Sequence, residues 1–573
     1  MRISLNWLKD LVDADLPVSR LVDTLNNIGL LVDSKEELED DIILELETYA
    51  NRPDTLGHLG VARELSVALD LPLKEQNWPL TELDELSSDS IDIEIYDDDL
   101  CPRYCGIIVK DVNVGPSPKW LTDKIEAMGL SPVNNVVDVS NYVLFATAQP
   151  IHMFDLSLLA GRKIIVRKAL KGEPFRSLEG EDVSLNPDML VIADEQKPVA
   201  LAGVIGGENS AVREKTRDIL IESAHFDPIS VRKTGKATGI QTDANYRFER
   251  GSDISFPPKA ALMAASLLTE FGGKTAKGIV DVYPKPRKNK TVMLRQRRVS
   301  ELLGVDIDSP FIVETLTKLE FSLAKKQVGV WQVEVPPFRI DVEREADLIE
   351  EIARFYGYEN IPSHFPPLTA MEPPPDPKKR QIERSRQALL HYGFDEVINF
   401  SFSDPLNEEK FQSGRKPITI RNPISTKASL LRTTLLEGLL TNIAWNLNRG
   451  ADGIHLFEVG NVYFWSNTTC TEELSLGIVS AGYLGTNSWQ EERVQTGFFH
   501  LKGACEALLA MLRYEPVVFL AGQHPSLEKN RSLSIQLKGK KIGCIGAVRK
   551  DICSFFSIKE RVWAAELDLH RIF

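Results

Sequence analysis

Four carboxylates stand close together ahead of a Tyr-Gly-Tyr sequence: Asp341, Asp347, Glu350 and Glu351. A helical DLIEEIARF puts Asp347, Glu350 and Glu351 at i, i+3 and i+4 on one face, opposite Leu348, Ile349, Ile352, Phe355 and Tyr356. Asp341 lies far enough upstream to fold back as a fourth oxygen donor. Converging carboxylates repel one another unless a hard cation neutralises them, and magnesium prefers oxygen ligands, so the spacing makes a candidate metal site. The same pattern also suits the solvated face and acidic first turn of an ordinary amphipathic helix. His152 in QPIHMFD and Glu222 in ILIESAHFDP are single polar residues beside apolar runs, and residue type alone leaves them as structural groups as readily as functional ones. GVIGGE (Gly203–Glu208) is glycine-rich but lacks GxGxxG and Walker spacing, so nucleotide binding is not expected there. Cys101 and Cys105 form a CxxxC with no second pair at metal spacing and read as reduced structural thiols.

The elements that must position these groups come from a chain of 573 residues, long enough for about three to five domains. Hydrophobic content of 43% and charged content of 26% are those of a soluble globular protein. A net charge of −15 excludes a protein that holds nucleic acid by bulk electrostatics; any RNA contact must be local or supplied by a partner. There is no leader-like apolar core at MRISLNWLKD and no run of about 18 apolar residues, which with the thiol usage predicts a cytoplasmic protein.

Periodicity and punctuation divide the chain. Residues 1–95 read as an α+β domain, with helices in SLNWLKDLVD, VSRLVDTLNNIGL and His58–Asp70 and a strand at Ile42–Glu47. The acidic stretch ELDELSSDSIDIE marks its boundary. Residues 96–286 read as a mixed α/β domain of glycine-punctuated strands (YCGIIVKDV, KIIVRKAL, MLVIAD, PVALAGVIGG) with helices in PKWLTDKIEAMG and PPKAALMAASLLTEFG. Residues 287–362 form a small helical domain carrying the acidic cluster. The proline-rich Ser363–Pro377 is an extended linker. Residues 378–573 alternate helices and strands, predicting helices packed on an antiparallel sheet.

Several stretches occur in a telling order: NRPDTLGHLGVARELSVAL (Asn51–Leu69), VDVSNYV with QPIHMFD (Val137–Asp155), TDANYRFERGSD (Thr242–Asp253) and PPFRIDVEREADLIEEIARFYGYENIP (Pro336–Pro362). IRNPISTKASLLRTTLLEGLL and LFEVGNVYF extend the series. Together they resemble the beta subunit of bacterial-type phenylalanyl-tRNA synthetase over nearly the whole chain. The resemblance implies an alpha2beta2 enzyme acting on tRNA(Phe), in which the alpha subunit performs ATP-dependent attachment of phenylalanine. It implies a magnesium ion shared with the alpha subunit at Asp341, Asp347, Glu350 and Glu351. It also implies a winged character for the small domain, a class II synthetase-like last domain without a synthetic active site, and an editing pocket. That pocket comprises Ser140, Asn141, His152, Ala202, Gly203, Glu222, Thr242 and Ala244, and it hydrolyses tyrosine wrongly attached to the tRNA.

The implied chemistry is coherent. A synthetic pocket built for phenylalanine rejects an added hydroxyl poorly, so a second pocket must select the error. Glu222 suits a phenol proton and His152 can bond the same oxygen. Gly203 and Ala202 leave room, while Ser140, Asn141 and Thr242 offer polar groups to place the terminal adenosine or a water; no general base is assigned. Ser140 stands where the family more often has threonine. Phe145, Ala146, Thr147 and Ala148 replace a more usual Leu-Glu-x-Gly run. The passage from NNIGLLVDSKEELED to IILELE leaves no room for the inserted oligonucleotide-binding barrel of long forms, and HRIF follows directly on the strand that precedes their anticodon-binding domain, so a short form is expected. The rival readings are a freestanding editing hydrolase and a non-catalytic paralogue serving assembly.

Overall fold

The computed structural model describes residues 1–365, 376–411, 414–485, 489, 492–514 and 516–573. The chain divides into two compact units, Met1–Pro366 and Pro367–Phe573. Most of the proline-rich linker lies outside the described residues.

The first unit opens with a three-stranded sheet in the order Arg2–Ser4, Ile42–Leu46, Val32–Glu37. Helices Leu5–Leu11, Val18–Asn27 and His58–Leu69 cover it through Leu8, Leu25, Val61 and Leu65. Strands Val32–Glu37 and Ile42–Leu46 are antiparallel neighbours joined by a tight turn, so nothing is inserted there, as the sequence led us to expect.

The acidic stretch read as a boundary is instead structured. Glu82–Leu86 and Asp92–Ile95 are strands, and each joins a different sheet of the middle region by parallel pairing. The first sheet runs Glu82–Leu86, Lys274–Lys277, Arg103–Lys110, Ile219–His225, Ile151–Asp155, with Val280–Val282 also on Arg103–Lys110. The second runs Ile205–Gly206, Pro198–Leu201, Leu190–Ala193, Lys163–Lys168, Asp92–Ile95. Alternation along a strand sends successive side chains to opposite faces. Ile107, Val109, Ile219, Ile221 and Met153 therefore pack under helices Lys119–Ala127, Asn135–Thr147 and Pro257–Thr269. Tyr104, Ile108, Phe154, Leu220 and Ala224 face the second sheet through Ile164, Val166, Val191 and Val199. Strand Ile219–His225 is buried on both faces, which is why it reads as one apolar run interrupted by Glu222.

The small domain, expected to hold helices and a strand at WQVEVPP, contains a sheet of Thr291–Arg295, Val330–Glu334 and Ser322–Gln327, packed by helices Gln296–Leu303, Ser309–Lys318 and Glu345–Tyr356. It meets the N-terminal elements through a chain of alternating buried charges. Arg52 holds Asp54 (2.8 Å) and Glu64 (2.5 Å); Arg354 holds Glu64 (3.0 Å) and Glu351 (2.6 Å); Arg339 holds Glu351 (2.6 Å) and Asp341 (2.8 Å). Burial pushes the Glu351 carboxyl up, but Arg354 and Arg339 outweigh it and hold the group well below the usual carboxylate range.

In the second unit the sheet runs Asp395–Glu396, Gly453–Ser466, Thr469–Leu484, Val562–Asp568, Lys540–Val548, Leu527–Leu537, Val517–Ala521. Its pairings are antiparallel apart from the short first strand. Helices Pro377–His391 and Phe498–Met511 cover one face against Phe457, Ile478 and Ile545, and helix Leu436–Leu447 covers the other against Val479, Ala481 and Ala564. Arg432, beside that last helix, is buried against Glu458 at 2.6 Å, and Arg449 stacks on Trp445.

Two outcomes test this description. Arg354→Met leaves Glu64 with Arg52 alone and Glu351 with Arg339 alone, breaks two buried ion pairs and should cost about 3–5 kcal/mol, read as a lower urea midpoint; an unchanged midpoint removes the network from the fold's supports. Ala148 closes helix Asn135–Thr147 in a left-handed conformation, φ 62°. Ala148→Gly should therefore stabilise by up to about 1 kcal/mol, and a lower melting temperature would contradict that account.

Candidate functional site

A cleft of about 500 Å³ opens beside the core where the two middle sheets face each other. Ser140 and Asn141 reach it from helix Asn135–Thr147, His152 from strand Ile151–Asp155, and Glu222 from strand Ile219–His225. Gly203 supplies the turn between two strands of the smaller sheet, and Thr242 and Ala244 stand at the start of helix Asp243–Phe248. Seven of the eight residues expected in one pocket line it. The eighth, Ala202, is buried in the core behind Gly203 and does not line the cleft.

Strand register explains the central pair. Glu222 and His152 are directly opposite in the antiparallel ladder, so both side chains leave the sheet on the same face. On the other side Glu222 is opposite Gly106, which places Tyr104 diagonally on that face. Three buried polar atoms here lack a hydrogen-bond partner that meets normal geometry: Glu222 Oε2, His152 Nε2 and Tyr104 Oη. Tyr104 is the polar group that bears on the Glu222 carboxyl from inside the protein, and its effect is outweighed by burial, which pushes that carboxyl up to about 8. Burial pushes the His152 imidazole down to about 4. At neutral pH both groups are uncharged. An uncharged acid and an uncharged imidazole do not constitute a strong base; they constitute a paired donor and acceptor awaiting a polar group from a ligand.

Small residues give that pair its setting. A Cβ on Gly206 would come within 2.4 Å of the His152 ring, so only glycine lets the turn lie over the imidazole. Gly203 has φ +69°, and a Cβ there would meet Val231 at 2.9 Å. Thr242 is more committed than expected. Its hydroxyl donates to the Val204 carbonyl (2.7 Å) and accepts the Asn245 N–H (3.0 Å), capping the helix and tying down the turn. Ser140 donates to the Val137 carbonyl at 2.7 Å, keeping acceptor capacity, and the Asn141 side-chain amide makes no hydrogen bond within the described residues.

The four expected carboxylates are not gathered as a ligand set within this chain. Asp341 and Glu351 are both held by Arg339, and Glu351 is held again by Arg354, so guanidinium charge stands where the cation was expected. Asp347 accepts the backbone N–H groups of Glu343 (2.9 Å) and Arg344 (2.8 Å), capping its helix, and Glu350 points to solvent. Among the described residues no group of three or more His, Cys, Asp or Glu side chains is placed to hold a metal ion. The donor set does not fit magnesium. Cys101 and Cys105 are free thiols, both buried.

Sequence reasoning missed Tyr104, which is adjacent to Glu222 only through strand register, and it missed helix Asn135–Thr147, whose even hydrophobicity hides its period.

The titration of Glu222 has a definite sign. The unfolded carboxyl loses its proton near 4.5 and the folded one near 8. The native state therefore retains a proton the unfolded chain has lost, and stability falls as pH rises through that interval. Glu222→Gln, which mimics the neutral acid, should gain on the wild type in unfolding midpoint between pH 5 and pH 9; parallel curves would show that Glu222 is not buried as a neutral group.

Comparison with known proteins places these features in context. Residues 100–273 match the B3/4 domain family, 292–358 the tRNA synthetase B5 domain family, and 361–569 the phenylalanyl tRNA synthetase beta chain CLM domain family. The phenylalanine--tRNA ligase beta subunit of Geobacter metallireducens is 37% identical over 541 residues, covering 93% of this chain and 68% of that protein. The corresponding protein of Syntrophus aciditrophicus is 38% identical over 549 residues, with 93% and 68% covered. That of Carboxydothermus hydrogenoformans is 37% identical over 551 residues, with 94% and 68% covered.

Proposed function

The chain belongs to the family of phenylalanine--tRNA ligase beta subunits, and from that premise we propose that its cleft is an editing site that hydrolyses tyrosyl-tRNA. As a beta subunit it is one part of a heteromeric aminoacyl-tRNA ligase, which implies an alpha-subunit partner and tRNA. The observation that carries the editing reading is the pair of buried atoms Glu222 Oε2 and His152 Nε2 on facing strands, neither in a hydrogen bond of normal geometry. A phenol inserted between them accepts from one and donates to the other, satisfying both at once. A phenylalanyl group satisfies neither.

Hydrolysis on this reading is a matter of placement. The aminoacyl ester is already reactive; Glu222 keeps its proton at neutral pH, and the His152 imidazole, pushed down to about 4, is a weak base. Ser140 and Asn141, with free acceptor or amide capacity at the cleft wall, are the groups that orient the attacking water or the terminal ribose. Thr242 serves by fixing the turn that carries Gly203.

The remaining assignments follow from the same premise. Residues 96–286 form the editing domain, 287–362 the small domain and 378–573 a class II synthetase-like core that leaves amino-acid activation by ATP to the alpha subunit. The assembly is an alpha2beta2 heterotetramer in the cytoplasm. No helix among the described residues is long and apolar enough to cross a membrane. Magnesium is typical of the family, but no step is routed through Asp341, Asp347, Glu350 and Glu351, because arginines already neutralise Asp341 and Glu351.

The deciding experiment co-expresses this chain with its alpha partner and compares wild type with Glu222→Ala. Deacylation of tyrosyl-tRNA should fall roughly 10- to 100-fold, the value of one buried hydrogen bond, while attachment of phenylalanine persists. Undiminished clearance of tyrosyl-tRNA would overturn the editing assignment.

A further inference from the structure

Helix Pro228–Thr238 carries different residues on its two faces. Its inner face is Ser230, Val231, Thr234 and Gly235, all buried. Val231 presses on Gly203, a wall of the cleft, and Asn245 donates to the Val231 carbonyl at 3.4 Å. A Cβ on Gly235 would meet the Asn245 amide at 2.8 Å, so this helix lies tightly against helix Asp243–Phe248. The chain leaving it, Gln241–Ala244, also lines the cleft. The helix is thus a partition, with the cleft wall on one side and solvent on the other.

The outer face is Ile229, Arg232, Lys233 and Lys236, at i, i+3, i+4 and i+7, all exposed. None of these three cations makes an ion pair or side-chain hydrogen bond within the described residues. The chain as a whole carries a net charge of −15, and several other cations of the middle region are paired: Lys163 with Asp92 and Glu94, Arg167 with Glu173, Arg103 with Asp281 and Arg247 with Asp243. Three unneutralised cations on one rigid face, backed against the cleft, form a local positive field on an acidic protein.

We propose that this face docks the phosphate backbone of the tRNA acceptor end and so delivers the 3′ terminus into the cleft; the proposal rests on the editing reading of that cleft. From Arg232 to Lys236 the helix rises about 6 Å, and the long Arg and Lys side chains extend that reach along a strand. Three cations therefore meet two or three consecutive phosphates. The contact is independent of base sequence, as a surface guiding a terminus must be.

The test measures binding of a fluorescent, uncharged acceptor-stem minihelix ending in CCA to the full chain at several salt concentrations. The charge reversal R232E/K233E/K236E should weaken binding at least tenfold and reduce the slope of log Kd against log salt by about two, at about 0.7–0.9 per phosphate. The neutral set R232Q/K233Q/K236Q should lie between, which separates loss of charge from damage to the helix. K325E/K326E, on exposed lysines of strand Ser322–Gln327, should have no such effect. Equal binding by wild type and charge reversal, no binding by wild type, or an equal loss from K325E/K326E would each overturn the proposal. Dependence of minihelix binding on this face without any tyrosyl-tRNA hydrolysis would defeat the editing reading and leave the docking surface standing. Hydrolysis that persists with binding indifferent to the face would do the reverse.

Discussion

Seven alternating charges hold the first unit together: Asp54, Arg52, Glu64, Arg354, Glu351, Arg339 and Asp341. Each would cost several kcal/mol to bury alone, and each is tolerated because its neighbours are of opposite sign and within hydrogen-bonding reach. The consequence is mutual dependence. Arg354 is supplied by a helix some 290 residues beyond Glu64, so the N-terminal elements and the small domain can bury their charges only together. The chain also engages part of the acidic cluster: Glu351 accepts from Arg339 and Arg354, and Asp341 accepts from Arg339.

From this anchor a mechanical path leads to the cleft. Helix His58–Leu69 carries Glu64 at its middle and His58 at its start. The His58 Nε2 accepts the Ser4 backbone N–H, which leaves Nδ1 to donate to the Phe145 carbonyl in helix Asn135–Thr147. Burial keeps the ring neutral, down to about 3, consistent with one nitrogen of each kind. Gly57 permits the approach, since a Cβ there would strike the Ala148 backbone at 2.4 Å. The helix so held is the one that presents Ser140 and Asn141. A positioning role for residues far from the cleft thus has a material basis in contacts.

Much of this could be read from the sequence, and the failures share a cause. Strongly periodic segments such as Val18–Asn27 and Leu436–Leu447 declared themselves, and the alternation of helix and strand in the second unit predicted its antiparallel sheet. The resemblance drew Ser140, Asn141, His152, Gly203, Glu222, Thr242 and Ala244 together from segments a hundred residues apart, and the cleft joins them. What failed depended on register or on partners. The stretch ELDELSSDSIDIE is polar enough to pass for a boundary, yet its backbone completes two sheet edges whose partners lie at Lys274–Lys277 and Lys163–Lys168. Asp347, Glu350 and Glu351 have the spacing of a ligand set, but Glu351 is also paired with Arg354 one turn on and with Arg339 from outside the helix, and spacing on one helix says nothing of Arg339. Ala202 and Gly203 are adjacent in sequence but only the second is on the wall, because the chain turns between them.

The same unit buries ionisable groups in two ways, and the difference bears on specificity. In the charge chain the groups stay ionised and paired. In the cleft Glu222 and His152 are neutral, and each has an atom without a hydrogen bond of normal geometry. An unsatisfied buried polar atom costs about 1–3 kcal/mol. A ligand hydroxyl that removes both penalties gains roughly 2–6 kcal/mol over one that lacks it, and a factor of ten corresponds to about 1.4 kcal/mol, so the preference is about 30-fold to 10⁴-fold. On the editing reading that preference must protect correctly charged tRNA, which is far more abundant than the error. A charged carboxylate would weaken the protection, because its desolvation cost would be met by water carried into the cleft with any substrate. A neutral pair leaves the hydroxyl as the one group whose arrival changes the balance, so the burial of Glu222 is as much a part of the recognition as the carboxyl itself.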